Sequence, residues 1–409
     1  MSKPLLVVLG MFGQIPLAGM VWQVLHYLEG FRRLGFDAYY VEDNRAWPYD
    51  PEQNTITDDC TYTVNYIGRI MGDYGFSERW AYRAAAQGDR IFGLTESEFL
   101  GLFRRADILV NITGATELRS EHLQVPIRIY LETDPVLPQI EIAKGNQFYI
   151  DLLNAHTHYL TFGENIGRAG CRIPVERFKY LPTRQPVVME WWNPADRSTA
   201  VMGLQSPCFT TIASWRQTGK DLEWKGETYT WSKHHEFLKF IDLPQRTTQP
   251  LELALAIRGN LQKEPNSWLP LYKEDADAIE LLTSHQWRVV NALRLSREIS
   301  SYRDYILHSR GEFTVAKDQN VRLRTGWFSD RSACYLAAGR PVVTQDTGFG
   351  SVLPTGVGLF SYDTMEEILA ALESINSDYD KHSRAARAIA DEYFRAETVS
   401  AGIIRQLGL

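Results

Sequence analysis

Residues 4–10, PLLVVLG, form an unbroken apolar run, the pattern of a strand covered on both faces. A glycine-bearing loop follows, 10-GMFGQIPLAG-19. Met20, Val21, Val24, Leu25, Leu28, Phe31 and Leu34 then recur at helical spacing, with Gly35 placed as a C-terminal cap. FDAYYVED (36–43) predicts the next strand. Strand, helix and strand in this order make a βαβ unit, which calls for a parallel sheet.

The alternation continues with a helix near 95–105 and strands at 107–113, 127–132 and 158–162, each ending in polar or glycine residues. Periodicity fades over 186–208, where Pro, Asn, Gly and Ser accumulate, and this segment reads as a crossing between domains. A second series then begins. It runs through FTTIAS (209–214), a helix near 232–241, LELALAI (251–257), a helix near 274–284, WRVVN (287–291), a helix near 300–310 and GEFTVAK (311–317). A strand at 341–344 and another near 357–360 follow, and helices at 364–376 and 379–407 close the chain. The same βα rhythm thus occurs twice without a sequence repeat.

A length of 409 residues supports two cores rather than one. The expected fold class is α/β, with two Rossmann-like doubly wound domains facing across a cleft. Their expected bounds are 1–195 and 196–385, with a C-terminal helix, 386–409, packing back on the first domain. In such sheets ligands bind at the carboxyl ends of the strands, so the strand tails are where chemistry belongs.

Composition narrows the partners. A formal net charge of −7 argues against a nucleic-acid surface, while leaving room for a local basic pocket that takes one small anion. Aromatic residues make up 12% with 11 Trp, which suits core packing first and ring stacking on a base or sugar second. The four cysteines form no CxxC pair and imply neither a zinc site nor a disulfide framework. No segment is long and apolar enough for a transmembrane helix, and the N-terminus reads as a buried strand rather than a signal peptide, so a cytoplasmic location is expected.

The densest stretch is 325-TGWFSDRSACYLAAGRPVVTQDTGFG-350. Ser329 is placed to cap a short helix, whose first turn (Asp330, Arg331, Ser332) presents unpaired backbone N–H groups and the positive end of the helix dipole. Such a turn is a ready anion site, although caps of this kind are common and most hold nothing. The sequel tilts the balance. A tight turn and a buried strand deliver Asp346, Thr347 and Gly348 to the strand's carboxyl end, so two polar clusters flank one strand–helix unit and suit a nucleotide sugar.

This stretch resembles the donor-binding segment of GT-B glycosyltransferases. Together with GEFTVAKDQN and IPLAGMVWQVLHYLEGFRRLGFDAYYVED it is similar to bacterial family-1-like glycosyltransferases related to the spore-maturation CgeB type. The resemblance implies transfer of a sugar from a nucleotide-diphosphate donor, such as a UDP-sugar, to a hydroxyl on a small-molecule or glycan acceptor, with no cofactor. It places Ser329, Asp330, Arg331 and Ser332 at the diphosphate and Asp346, Thr347 and Gly348 at the donor sugar. Arg216 and Lys220 would neutralise the leaving group, and the tail of WRVVN would meet the nucleobase. The loop glycines Gly10, Gly13 and Gly19 would let backbone approach donor or acceptor. Glu132 and Asp134 are the candidate general base, with Glu42 and Asp43 behind them. One departure is Cys334, where many retaining relatives carry a ribose-binding Glu. A nucleotide-sugar epimerase of the same fold and a non-catalytic sugar-binding or coat-assembly relative are the alternatives.

Histidines add little. His234 and His235 are helix neighbours that point apart, and His156 and His158 lack a third ligand at diagnostic spacing. No metal site is expected, and helix dipole and cations would replace Mg²⁺.

Overall fold

The computed structural model describes residues 3–53, 55–175, 177–193, 206–217, 219–256, 259–261, 268–270 and 273–409. The chain divides into two compact units, one of Met1–Ala169, Ile173–Val188 and Phe394–Leu409, the other of Gly170–Arg172 and Met189–Tyr393.

In the first unit the elements run β1 (Leu5–Leu9), α1 (Ala18–Arg33), β2 (Asp37–Glu42), the small hairpin β3 (Tyr49–Asp50) and β4 (Thr55–Ile56), then α2 (Thr61–Asp73). There follow β5 (Trp80–Ala84), β6 (Arg90–Gly93), α3 (Glu96–Arg105), β7 (Ile108–Ile112), β8 (Ile127–Glu132), α4 (Leu137–Ala143), α5 (Gln147–Asn154), β9 (His158–Thr161) and β10 (Tyr180–Pro182). Eight strands form one sheet in the order β10-β9-β8-β7-β1-β2-β5-β6, parallel except for the β5–β6 edge. All five β1 residues are buried, as the apolar run predicts. Leu5, Val7 and Leu9 pack with Phe99, Leu102 and Phe103 of α3 on one face.

The second unit contains β11 (Phe209–Ser214), the hairpin β12 (Leu222–Trp224) and β13 (Glu227–Tyr229), α6 (His234–Leu238), α7 (Leu243–Arg246) and β14 (Leu251–Ala256). Next come a small pair β15 (Gly259–Leu261) and β16 (Trp268–Pro270), α8 (Lys273–Ser284), β17 (Arg288–Asn291), α9 (Ala292–Leu295) and α10 (Ile299–His308). Then follow β18 (Gly311–Thr314), α11 (Asp318–Arg322), α12 (Asp330–Ala337), β19 (Val342–Gln345), β20 (Leu359–Tyr362), α13 (Met365–Ser377) and α14 (Tyr379–Tyr393). Its six-stranded sheet is wholly parallel, in the order β17-β14-β11-β18-β19-β20. Numbered within the unit this is 3-2-1-4-5-6, the doubly wound order with its switch point between β11 and β18. The first unit repeats that order, with β1 and β7 at its switch point.

One expected element divides. The helix read over 379–407 is two helices, α14 and α15 (Ala396–Gln406). Between them the backbone bonds Val187 instead of its own turn: Val187 N–H donates to Phe394 O (2.6 Å) and Ala396 N–H to Val187 O (2.9 Å). The division into units falls at this break, eight residues later than expected from the sequence boundary at 385. α15 lies on α1, and Gly30 permits the approach. A Cβ there would stand 2.5 Å from Ser400 Oγ and 3.1 Å from Ala396 O. Among the described residues no helix is long and apolar enough to cross a membrane.

Gly30→Ala is expected to lower unfolding stability by about 1–3 kcal/mol through overpacking. Adding Ser400→Ala should recover part of the loss in urea titrations, because the Ala396 carbonyl still crowds the new methyl group.

Candidate functional site

At the carboxyl edge of the first sheet, buried carboxylates organise the loops. Glu42 ends β2 and accepts the N–H groups of Gly13 (2.8 Å) and Gln14 (2.5 Å) and the Tyr40 hydroxyl (2.6 Å). The loop after β1 is therefore fastened from below. At Gly13 a Cβ would meet Ile67 at 2.4 Å, so the glycine allows close packing of the loop on α2. Gly10 packs against Tyr40, while Gly19 is the second residue of α1 and lies outside the loop to which the sequence assigned it.

Glu132, the leading candidate base, ends β8 with only 2% of its surface exposed. Gln139 Nε2 donates to both carboxylate oxygens (2.7 and 2.8 Å), and Thr161 Oγ1 donates to Oε2 (2.6 Å). Gln139 Oε1 in turn accepts the N–H of Val136 (2.8 Å), a β-branched residue held at φ +100°. Such a conformation costs about 1–3 kcal/mol and persists only when its surroundings impose it. Glu132 thus serves the turn 133–136, and its oxygens are already occupied. Asp134 is half-buried on that turn, two residues closer to its tip.

Glu42 and Glu132 are hydrogen-bonded by neutral groups, and burial pushes each up to about 7 against those bonds, with the nearby Asp134 charge adding to the rise at Glu132.

Beside Glu42, sequence-distant charges converge. Asp43 is fully buried and pairs with Arg83 (3.0 Å), Arg119 (3.1 Å) and His122 Nε2 (3.4 Å), while Arg83 also holds Glu121 (2.5 Å). Asp43, Glu121 and His122 present ligand atoms within 4.8 Å of one another. The donor set nevertheless fits a cation poorly. His122 Nδ1 accepts the Arg119 N–H (3.1 Å) and so carries no proton, and a metal on Nε2 would require an imidazolate. Two guanidinium groups already neutralise the carboxylates. Burial raises Asp43 to about 6 and lowers His122 to about 3, so this is a structural charge network with a neutral imidazole.

In the second unit, the site forms where β11 and β18 part. Arg216 and Lys220 follow β11 and are exposed. Lys220 Nζ stands 4.7 Å from the centroid of the Trp231 ring, and Lys317, which follows β18, stands 3.2 Å from the same centroid. Trp231 is locked in place: its backbone N–H donates to Asp221 Oδ1 and its indole N–H to Gln217 Oε1, both at 2.8 Å. Lys233 Nζ lies 5.7 Å from the Trp327 ring centroid. Two strand tails thereby bring cations to one aromatic ring. The sequence reading named Lys220 and did not name Lys317, Trp231 or Lys233; Lys317 closes the strand read at 311–317, while nothing in the local sequence points to its aromatic partner.

The stretch 325–350 folds as one piece. Gly326 N–H donates to Thr347 O (2.8 Å), and Thr347 Oγ1 to Trp327 O (2.6 Å). Asp346 accepts the N–H of Gly348 (2.7 Å) and pairs with Arg324 (2.9 Å). Ser329 stands in the cap position of α12, but its side chain makes no capping hydrogen bond. Asp330 Oδ1 instead accepts the Arg331 N–H (2.8 Å). Among the described residues, Ser332 Oγ and Asn320 Nδ2 are buried without a hydrogen-bond partner.

Arg331 requires a correction. Expected to add a cation facing a ligand, it turns inward, donating to Glu312 Oε1 (2.6 Å), Ile212 O (2.6 Å) and Thr314 Oγ1 (3.1 Å). Burial opposes its charge, but Glu312 and Tyr302 outweigh that and hold the proton more firmly than usual. The reason is topological: α12 begins directly over β18 and β11, and fully buried Glu312 is the nearest counter-charge. Arg331 positions the helix start.

Removing half of this pair is expected to be costly. Arg331→Met should lower stability by about 3–5 kcal/mol because Glu312 stays buried and unpaired, and adding Glu312→Leu should restore most of it in denaturant titrations. Raised carboxyls predict a pH effect of definite sign. Glu42 and Glu132 bind protons more tightly folded than unfolded, so their contribution is full in acid and lost as pH rises through about 7. Burial lowers His26, His122, His156 and His234, which contribute the opposite sign, so the test is the difference. In thermal unfolding between about pH 5 and pH 8, the slope of stability with pH should be more positive in Glu42→Gln and Glu132→Gln than in wild type. An unchanged slope would contradict the assignment.

No family model matches the chain, and no curated protein matches it. Solved structures do. Anabaena Alr3699/HepE in complex with UDP and glucose superposes with a TM-score of 0.55 at 10% identity, covering 100% of each chain. Sucrose-phosphate synthase from Thermosynechococcus elongatus gives 0.55 at 10% identity over 99% of each chain. An alpha-glucosyltransferase in complex with UDP gives 0.57 at 10% identity over 100% of each chain. What the chain shares with these proteins is the GT-B fold, two Rossmann-like α/β units in one polypeptide.

Proposed function

We propose that the protein is a glycosyltransferase that takes a sugar from a nucleotide-diphosphate donor and passes it to a hydroxyl acceptor, without a metal ion. The observation that carries this reading is the meeting of Lys220 and Lys317 on Trp231 at the switch point of the second sheet. Doubly wound sheets bind nucleotides at that point, and two ammonium groups gathered at one rigid aromatic ring suit a diphosphate. Similar folds solved with UDP support the choice of ligand class. The motif likeness supports placing the chain with family-1-like glycosyltransferases of the CgeB-related type.

In the reaction, the acceptor oxygen bonds to the anomeric carbon as the bond from that carbon to the diphosphate oxygen breaks. The diphosphate leaves with the electron pair, its charge met by Lys317, Lys220 and Arg216. We assign the acceptor proton to Asp134, with Glu132 holding the turn that carries it. The first turn of α12, Ser329 to Ser332, is assigned to the diphosphate side, and Asp346 to Gly348 form the loop toward the sugar.

Calorimetric titration with UDP, GDP and dTDP tests the reading. One of them should bind equally well with and without EDTA, and Lys317→Ala should weaken it by about tenfold or more, as expected for a lost charge-assisted contact. Asp134→Asn should keep donor binding and lose transfer. Failure of all three nucleotides to bind would reject the proposal, and isomerised nucleotide sugar in place of transfer would identify an epimerase.

A further inference from the structure

The two lysines that meet on Trp231 belong to different elements, and one residue ties those elements together. β12 and β13 form a hairpin closed by Lys225 and Gly226, both at positive φ (+52° and +80°), the geometry of a tight two-residue turn. Glu223, Lys225, Glu227 and Thr228 are exposed, and a lone two-stranded hairpin is marginal in water. Its two ends are functional: Lys220 and Asp221 lead into β12, while Thr230 and Trp231 leave β13.

Arg322, at the end of α11, grips this hairpin. Its guanidinium donates to Thr228 O (2.7 Å), pairs with Glu227 and lies over the Tyr229 ring, 4.2 Å from the centroid. Asp318, one helical turn earlier, pairs with Arg322 (3.2 Å) and accepts the Thr230 N–H (3.0 Å). Lys317 immediately precedes Asp318. The same five-residue helix therefore follows Lys317 and clamps the segment carrying Trp231.

We propose that Arg322 is a positioning residue that clips the β12–β13 hairpin to α11 and so holds Trp231 and Lys220 in register with Lys317 for a nucleoside diphosphate. The proposal rests on the nucleotide-donor reading for its ligand, while the clip itself rests on geometry alone. Arginine suits the task because its planar fork can donate to a carbonyl, pair with carboxylates and stack on a ring at once, which lysine cannot reproduce. Leu222 and Tyr229 are the buried residues of the two hairpin strands and the rest of the hairpin is exposed or half-buried, so loss of the clip is expected to open it locally without unfolding the unit.

Two measurements on the full chain test this. In hydrogen–deuterium exchange, Arg322→Ala should speed exchange of amides in 222–231 while 330–337 stays protected; Arg322→Lys should lie between it and wild type. In titrations with the nucleoside diphosphate that wild type binds, Arg322→Ala should weaken affinity about tenfold, the scale of losing an aligned cation–aromatic contact. The donor KM should rise with little change in kcat, a split that general destabilisation would not produce. Unchanged exchange in 222–231 would overturn the clip. Faster exchange with wild-type affinity would overturn the positioning role. If wild type binds no nucleoside diphosphate, the donor reading and the ligand part of this inference fall, and exchange alone decides the clip.

Discussion

The buried pair between Arg331 and Glu312 is the constraint on which the second unit depends. Glu312, a carboxyl with no exposed surface on a central strand, is compensated by a cation, and that cation sits on the first turn of a helix. Meeting that electrostatic demand also fixes where α12 begins relative to β11 and β18, since the same guanidinium bonds Ile212 O and Thr314 Oγ1. The N–H groups of the first turn, the loop 325–329 and the cluster at Asp346–Gly348 are set from that point. The residue that looked most like a ligand contact is better understood as the anchor that gives neighbouring residues their positions.

The first unit solves a similar problem without cations. Glu42 and Glu132 are buried at strand ends among amides and hydroxyls. Each spends its lone pairs on an adjacent loop, one at Gly13–Gln14 and the other through Gln139 at Val136. Neutral donors orient a carboxylate well but compensate its desolvation poorly, hence the raised proton affinity. With Asp43, flanked by two arginines, one sheet edge thus accommodates acidic residues in two ways. This also explains why an acidic residue at a strand end is weak evidence for a base: the position that points at a ligand also suits a loop anchor.

A basic–aromatic platform on a doubly wound sheet gives the functional proposal its physical content. Net negative charge across the chain does not prevent a local concentration of lysines, because screening over about 8–10 Å confines each field to its neighbourhood. What matters is that Trp231 is held at both its backbone and its ring nitrogen, so the cations meet a fixed surface.

By itself the sequence determined the class of the fold. Continuous apolar runs mark strands covered on both faces and helical spacing marks the layers between them. Most elements read this way appear within a residue or two, but the strand read at 311–317 ends at Thr314, the helix read near 232–241 spans only His234–Leu238, and α2, β5 and β6 were not read. It also located 325–350 as a folded polar segment. Tertiary structure decided the partners. Thr211 and Glu312 are 101 positions apart yet touch, because the strand order makes β11 and β18 neighbours. Periodicity reports that a face is covered and is silent on what covers it. A charge near a strand end can face solvent, a ligand or a buried counter-charge with the same local sequence. Hence Arg331 turned inward, Lys317 gained Trp231, and a helix that reads as continuous broke where Val187 took its backbone hydrogen bonds.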